Sequence, residues 1–344
     1  MSFSSNAVTA KARAVYGRSL TERDFAALAA KSSVADVCAY LKQTERCGEC
    51  LSAANPQTIH RGQLEALLRR NMFNIYESFH RFDHSGGRSF FPLIIMRSEA
   101  EQILTAIECA AYGSAETYIS SLPAFLDEHT KTDLYALGSA QGFGDIARIL
   151  APTPYGAVLA DVLARAQADG RIEINECERR LYAFYAHTCM KHIQKNFRGS
   201  ERTDLKRAVL KCMDMENVVT VARMSRFSAD PADINAQLIP MRYRLTPDAV
   251  ERLAQDPNPE RIRTELESMG YRAQAGAPTP TVELLTEEIS LKFLRHTLRL
   301  SQSSALVYFA LAELLSIENK NIKTVIEGIR YGMPSGDIMS LLVL

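Results

Sequence analysis

The sequence has no excess charge of either sign and no long apolar run. Forty Lys and Arg residues balance forty Asp and Glu residues among 344, which argues against a nucleic-acid-binding or membrane-binding basic surface. The longest apolar stretch is FFPLIIM, residues 90–96; a proline interrupts it, and it is far shorter than the roughly 20 residues that span a bilayer. The first residues lack the apolar core of a signal peptide, so we expect a cytoplasmic protein without a membrane span.

The motifs of the common catalytic sites are also missing. There is no GxxxxGK[ST] or GxGxxG loop to hold phosphate groups. Seven irregularly spaced cysteines indicate reduced thiols and not a disulfide framework. Cys47 and Cys50 have the spacing of half a zinc site, with His60 as the nearest further ligand, but a structural zinc needs four ligands. We therefore predict ordinary thiols, no metal, no cofactor and no catalytic residue, and keep a metal or thiol enzyme as a less favoured alternative.

One histidine cluster allows two interpretations. His80, Asp83 and His84 precede Gly86 and Gly87, and such a group could bind a metal or act in acid–base chemistry. A helix C-terminus explains it better, since basic side chains suit the negative end of the helix dipole and glycine ends the helix.

Helical spacing dominates the rest of the chain. Ile322, Val325, Ile326 and Ile329 recur at the spacing that places one apolar stripe on a helix. Thr21 stands where an N-cap begins two short helical patterns. Strand alternation is scarce, and the best case, RIEINE at residues 171–176, follows a turn signal. The sequence predicts an all-α protein.

A short helical pair occurs three times. The segment DFAALAAKSSVADVCAYLKQT from Asp24 aligns without gaps with segments that begin at Asp133 and Ala249. The coinciding apolar positions are Leu28, Leu137 and Leu253; Val37, Ile146 and Ile262; and Leu41, Leu150 and Leu266. Five residues after the last of these positions stand Tyr155 and Tyr271 in the second and third copies, and Arg46 in the first.

Each pair is followed by a long helical pattern, at residues 62–82, 174–197 and 282–303, and then by one repeated phrase. The phrase is an acid, an amide three residues later, and a branched aliphatic residue. Its three copies are Glu99, Gln102 and Ile103; Asp214, Asn217 and Val218; and Glu318, Asn321 and Ile322. The shared order predicts three diverged copies of one helical unit, over residues 8–115, 130–230 and 240–336.

These patterns resemble the C/d-type subunit of V-type and archaeal A-type rotary ATPases. The likeness is carried by IENKNIKTVIEGIRYGMP at residues 317–334, DMENVVTVARMSRF at 214–227 and the opening at 10–44. The second copy, DIARILAPTPYG, matches the family's Leu-x-x-Thr-x-Tyr turn, from which the other copies depart at Arg46 and Met269.

The resemblance implies a funnel of three similar helical domains around a pseudo-threefold axis. It implies a rotor subunit without catalytic activity, whose partners are the central shaft subunits of the ATPase head and the membrane proteolipid ring, on the cytoplasmic face of the membrane. Candidate partner-binding residues are Asp214, Asn217, Arg223, Glu318 and Asn321. Two alternatives stay open: the acids and amides bracket helices within their own unit, or the chain is a helical-repeat scaffold for cytosolic partners.

Overall fold

The computed structural model describes residues 3–82, 89–112, 126, 129–227, 230–273 and 281–344. The described residues contain helices and no β-strand, which confirms the predicted all-α class. Within these ranges no helix is long and apolar enough to cross a membrane.

The helices are numbered in chain order. They are α1 (Phe3–Gly17), α2 (Glu22–Ala29), α3 (Val34–Leu41), α4 (Arg61–Phe82), α5 (Phe91–Tyr112), α6 (Leu134–Gly138), α7 (Phe143–Leu150), α8 (Pro154–Asp169), α9 (Ile174–Asn196), α10 (Gly199–Ser225), α11 (Pro231–Gln237), α12 (Pro247–Gln255), α13 (Pro259–Ser268), α14 (Val282–Leu300), α15 (Ser304–Arg330) and α16 (Ser335–Ser340). The predicted short pairs are α2–α3, α6–α7 and α12–α13, and each repeated phrase lies on one of the long helices α5, α10 and α15.

Local capping explains where the short helices begin. Thr21 and Asp24 form a reciprocal capping box: the Asp24 N–H donates to Thr21 Oγ1 at 3.3 Å, and the Thr21 N–H donates to Asp24 Oδ2 at 2.7 Å. Each contact satisfies a backbone N–H that a helix start leaves without an intrahelical partner. The predicted N-cap at Thr21 is confirmed.

Each short helical pair packs against a long helix outside its own copy. The pair α2–α3 lies on α15, where Leu28 and Val37 share a buried cluster with Ile322 and Val325. In the same way α6–α7 contact α5, and α12 contacts α10. The second and third pairs therefore pack against the long helix that precedes them in the chain, whereas the first pair packs against the last long helix.

The aligned leucines are buried as predicted, because Leu41, Leu150 and Leu266 are each 0% exposed. The unit limits 8–115, 130–230 and 240–336 stay a prediction, as does the pseudo-threefold axis. Contacts cross those limits, since the first short pair is stabilised by the last long helix.

We expect Leu150→Ala to lower the free energy of unfolding by about 2–5 kcal/mol, because it removes buried methyl groups and leaves a cavity. The control is Leu300→Ala, because Leu300 also lies in a helix but is 63% exposed, and the expected change is within about 0.5 kcal/mol. Urea denaturation followed by circular dichroism measures both variants. Equal losses would contradict the buried, repeated role of Leu150.

Candidate functional site

The acid of the middle long helix binds a loop of the following segment. Asp214 is 0% exposed and accepts hydrogen bonds from the backbone N–H groups of Tyr243, Arg244 and Leu245 at 2.9, 2.7 and 3.2 Å. It also accepts a hydrogen bond from the Tyr271 hydroxyl at 2.5 Å. Four donors therefore satisfy one buried carboxylate, and hydrogen bonds to a charged acceptor are stronger than those between neutral groups.

The amide three residues later fixes the same loop. Asn217 is 1% exposed; its Nδ2 donates to the Ile239 carbonyl at 3.1 Å, and its Oδ1 accepts from the Ile239 N–H at 2.7 Å. The Asn217 side chain thus satisfies both backbone groups of Ile239, which in a sheet or helix would bind other backbone groups. Together the acid and the amide attach residues 239–245 to α10.

The last long helix repeats this arrangement across the two ends of the chain. Glu318 accepts from the Leu20 N–H at 2.8 Å and from Arg46 Nε at 2.6 Å, in an ion pair whose side chains are 7% and 6% exposed. Asn321 Oδ1 accepts a hydrogen bond from the Val343 N–H at 3.1 Å, and Asn321 Nδ2 donates to the Val343 carbonyl at 2.6 Å. The phrase thus joins α15 both to the segment before α2 and to the C-terminal residues.

The first long helix uses hydroxyl donors. Glu99 accepts from the Tyr155 hydroxyl at 2.6 Å and from Thr132 at 3.4 Å, and Thr130 donates to the same carboxylate. The side-chain oxygen of Gln102 is buried and has no hydrogen-bond partner among the described residues. In the other two copies the amide binds a residue 22 positions further on, and the corresponding residue, 124, lies outside the described part of the chain.

Each acid binds a side chain that follows a short helical pair of another predicted unit. Tyr155 and Tyr271 donate to the acids of the first and second copies, and Arg46 donates to the acid of the third. Burial, together with the neighbouring carboxylate, raises the pKa of both tyrosines, so their hydroxyls stay protonated and donate. The acids do bracket segments of the chain, but these segments belong to another predicted unit: the following one for Glu99 and Asp214, and the first one for Glu318.

The first and last long helices run side by side in the same direction. Phe90, next to the start of α5, packs against Phe309 near the start of α15, with ring centroids 6.0 Å apart. Further along both helices, Arg97 pairs with Glu313 at 2.7 Å. The second contact lies nearer the C-terminus than the first on both helices. The C-terminal ends of α5 and α15 therefore lie on the same side.

The middle long helix follows the same course. Ser303, at the start of α15, donates to Glu201 near the start of α10 at 2.7 Å. Further along, Glu216 and Lys320 line one cavity. The three helices that carry the repeated phrase are therefore parallel, and side chains from all three line this cavity, Arg97 being the contribution of α5.

Cavities lie along these helices, between them and their neighbours α4, α9 and α14. One cavity, of about 390 Å³, lies between α9 and α10 and is lined by Glu178, Tyr182, Glu216 and Arg223 among others. Another, of about 250 Å³, lies between α10, α14 and α15 and shares Glu216 and Arg223 with the first. A third, also of about 250 Å³, lies between α4, α5 and α15. We call the space formed by these cavities the socket.

Two socket carboxylates are available to a partner. The nearest cations are engaged elsewhere: Arg223 pairs with Glu283 and Arg97 with Glu313. Within the described residues, neither arginine forms an ion pair within 4 Å with Glu178 or Glu216. Glu178 is half-buried and Glu216 is exposed at the cavity, and partial removal from water by the neighbouring helices raises the pKa of both carboxyls. A basic group that entered the socket would stabilise the charged form of both carboxylates.

The structure separates the five predicted partner-binding residues into two groups. Arg223 lies in the socket wall, its side chain is 58% exposed, and its Nε is 3.3 Å from Glu283. Asp214, Asn217, Glu318 and Asn321 are buried, and their side chains bind the segments described above. Whether partners contact any of the five stays a prediction. Sequence reasoning missed Glu178 and Glu216, although Glu216 stands only two residues after the repeated acid.

The cysteine pair lies in a turn after α3. Cys47 is 2% exposed, and Cys50 Sγ donates to the Cys47 carbonyl at 3.2 Å. In the described part of the chain, no group of three or more His, Cys, Asp or Glu residues could hold a metal ion. His80 stacks on Phe91 with ring centroids 4.5 Å apart, whereas Asp83 and His84 lie outside the described residues.

Comparison with protein families gives one match over nearly the whole chain. The model of the ATP synthase (C/AC39) subunit family matches residues 8–341. No curated protein matches the chain.

We expect Asp214→Asn to lower the free energy of unfolding by about 2–4 kcal/mol, because the amide removes the charge and turns an NH₂ group toward backbone donors. Asp204→Asn is the matched control on the same helix, since that side chain is 47% exposed and pairs only loosely with Arg207 at 3.5 Å. Urea denaturation measures both. A loss no larger than the control's would show that the buried carboxylate does not hold the loop.

The ion pair between Arg46 and Glu318 gives a second prediction. Arg46→Met leaves a buried carboxylate with one donor, and we expect a loss of about 3–5 kcal/mol in the free energy of unfolding. Arg46→Tyr should lose less than Arg46→Met, because a tyrosine hydroxyl can donate to the acid as Tyr155 and Tyr271 do.

The control for these variants is Arg18→Met, which removes an exposed pair with Glu45 whose side chains are 59% and 71% exposed. Its expected effect is below about 1 kcal/mol. Equal stability of the methionine and tyrosine variants at position 46 would rule out the equivalence of the three acid contacts.

Proposed function

Because the chain belongs to the ATP synthase (C/AC39) subunit family, we propose that it links the central shaft of a rotary ATPase to the membrane proteolipid ring. The family consists of subunits of V/A-type, ion-transporting rotary ATPases. In this role the chain turns with the rotor, passes torque between shaft and ring, and catalyses no reaction itself.

The socket is the observation that supports a shaft-binding role most strongly. The parallel helices α5 and α10 contact α15 near its start, and solvent-open cavities lie further along the three helices, bordered also by α4, α9 and α14. A rod-shaped partner can enter such a space from the C-terminal ends of the helices. Contact with several walls at once holds a rod against rotation better than contact with one flat face.

We assign the direct contacts to the residues that face the socket. Glu178 and Glu216 bind basic groups of the shaft tip, and Arg223 binds an acidic or carbonyl group beside them. Asp214, Asn217, Glu318 and Asn321 hold the socket walls in place through their contacts with the following segments. A shaft bound in this way transmits torque only while those walls stay fixed.

The opposite end of the molecule is left for the proteolipid ring. The starts of α5 and α10 each contact the start of α15 there, and we expect this end to dock on the ring of identical subunits. The funnel shape, the pseudo-threefold axis and the position on the cytoplasmic face of the membrane belong to this proposal.

The test is the double charge reversal Glu178→Lys/Glu216→Lys. We expect shaft binding to weaken by about tenfold or more, because two like charges then face the basic tip. In the assembled enzyme, ATP hydrolysis by the head should persist while ion pumping falls. Binding is measured with purified shaft subunits, and pumping with reconstituted vesicles.

The control is Glu251→Lys/Glu267→Lys, which makes the same change in net charge at two exposed positions of α12 and α13. It should leave binding and pumping unchanged. If the socket variant folds with the thermal stability of the native chain and still binds and pumps normally, the shaft does not use this socket.

A further inference from the structure

Three strongly exposed aromatic residues stand at equivalent places on the long helices. Tyr112, Phe227 and Tyr331 are 76%, 85% and 72% exposed, which is more than any other large apolar side chain in the described residues. Each follows the repeated acid of its helix by thirteen residues. Single exposed apolar residues are ordinary on protein surfaces, but equivalent ones in all three copies indicate a shared use.

The parallel course of the helices places the three rings on one side of the molecule. Each ring stands at the C-terminal end of α5, α10 or α15, and those ends point the same way. Phe227 lies eleven residues beyond Glu216, which corresponds to roughly 16 Å along a helix. The rings therefore lie on the side from which a rod would enter the socket.

Cations accompany two of the three rings. Arg226 directly precedes Phe227, and the Arg330 guanidinium lies over the Tyr331 ring at 5.5 Å from its centroid. Aromatic residues and arginine are the residue types enriched where proteins bind one another. The rim of the socket is thus apolar and basic, whereas the wall at Glu178 and Glu216 is acidic.

We propose that Tyr112, Phe227 and Tyr331 form a three-point aromatic collar that grips the sides of a helical rod seated in the socket. The rod is the central shaft, so this inference rests on the proposed function. The charges of the socket define the chemistry of this rod. Its tip is basic, because it faces Glu178 and Glu216. About 16 Å from the tip along the rod, where it passes the collar, its surface has apolar residues flanked by acidic ones.

The collar is tested by the triple variant Tyr112→Ser/Phe227→Ser/Tyr331→Ser. Its affinity for the purified shaft subunits, measured with the shaft immobilised, should fall at least about tenfold, since truncating a single aromatic anchor commonly weakens binding about fivefold or more. Tyr112→Phe/Tyr331→Phe should stay within about twofold of the native chain, because the rings and not the hydroxyls make the contact.

Tyr135→Ser/Leu300→Ser is the control, since those residues are 54% and 63% exposed away from the collar; its binding should not change. All variants alter exposed side chains and should unfold at the native temperature. If the triple variant binds the shaft like the native chain, the proposed collar is contradicted, whereas the proposal that the socket binds the shaft is not. If the native chain does not bind the shaft at all, the proposed function fails and the collar with it.

Other occupants of the collar have distinct outcomes. Dimerisation of the native chain that the triple variant loses, seen by analytical ultracentrifugation, would assign the rings to a second copy. Binding to vesicles of anionic lipid that is lost in the same way would assign them to a membrane surface. Either result would overturn a collar for the shaft.

Discussion

A carboxylate on each of α5, α10 and α15, satisfied by donors from a distant segment, is the contact on which the rest of the structure depends. Asp214 and Glu318 are buried, and Glu99 is half-buried. Burying such a charge without partners is costly, so the folded chain must bring those partners to it. Asp214 accepts hydrogen bonds from three backbone N–H groups and a tyrosine hydroxyl. Glu318 accepts hydrogen bonds from the Leu20 N–H and from Arg46 Nε. The position of each short helical pair is thereby fixed on a helix of another copy.

The same helices give the molecule its socket. On α10 the acid points into the protein and binds the next segment, while the residue two positions later, Glu216, faces the cavity. In the third copy that position is Lys320, which pairs with Glu287, whereas Glu216 has no ion-pair partner within 4 Å in the described part of the chain. Buried contacts hold the walls, and in the proposed function the exposed residues beside them bind the partner.

Much of the fold could be predicted from local patterns. The helices, the cap at Thr21 and the buried leucines follow from spacing and side-chain chemistry within a few residues. Contacts between distant segments could not be predicted in this way. Glu318 and Arg46 are 272 positions apart, and the sequence around either residue does not indicate the other. The aligned place of Arg46, where the other copies have tyrosine, was the only signal of that contact. Glu216 looked like any exposed helical acid until the helices on its other side were known.

The central claim is that the cavity between the parallel helices holds the shaft of the rotor. Incorporating a photo-crosslinking amino acid in place of Glu216 in the assembled ATPase tests this claim most directly, with the crosslinked peptides identified by mass spectrometry. The account predicts crosslinks to a shaft subunit, and none from the same probe in place of Glu251 on the outer surface of α12. Crosslinks from position 216 to the proteolipid ring, without any to the shaft, would contradict it.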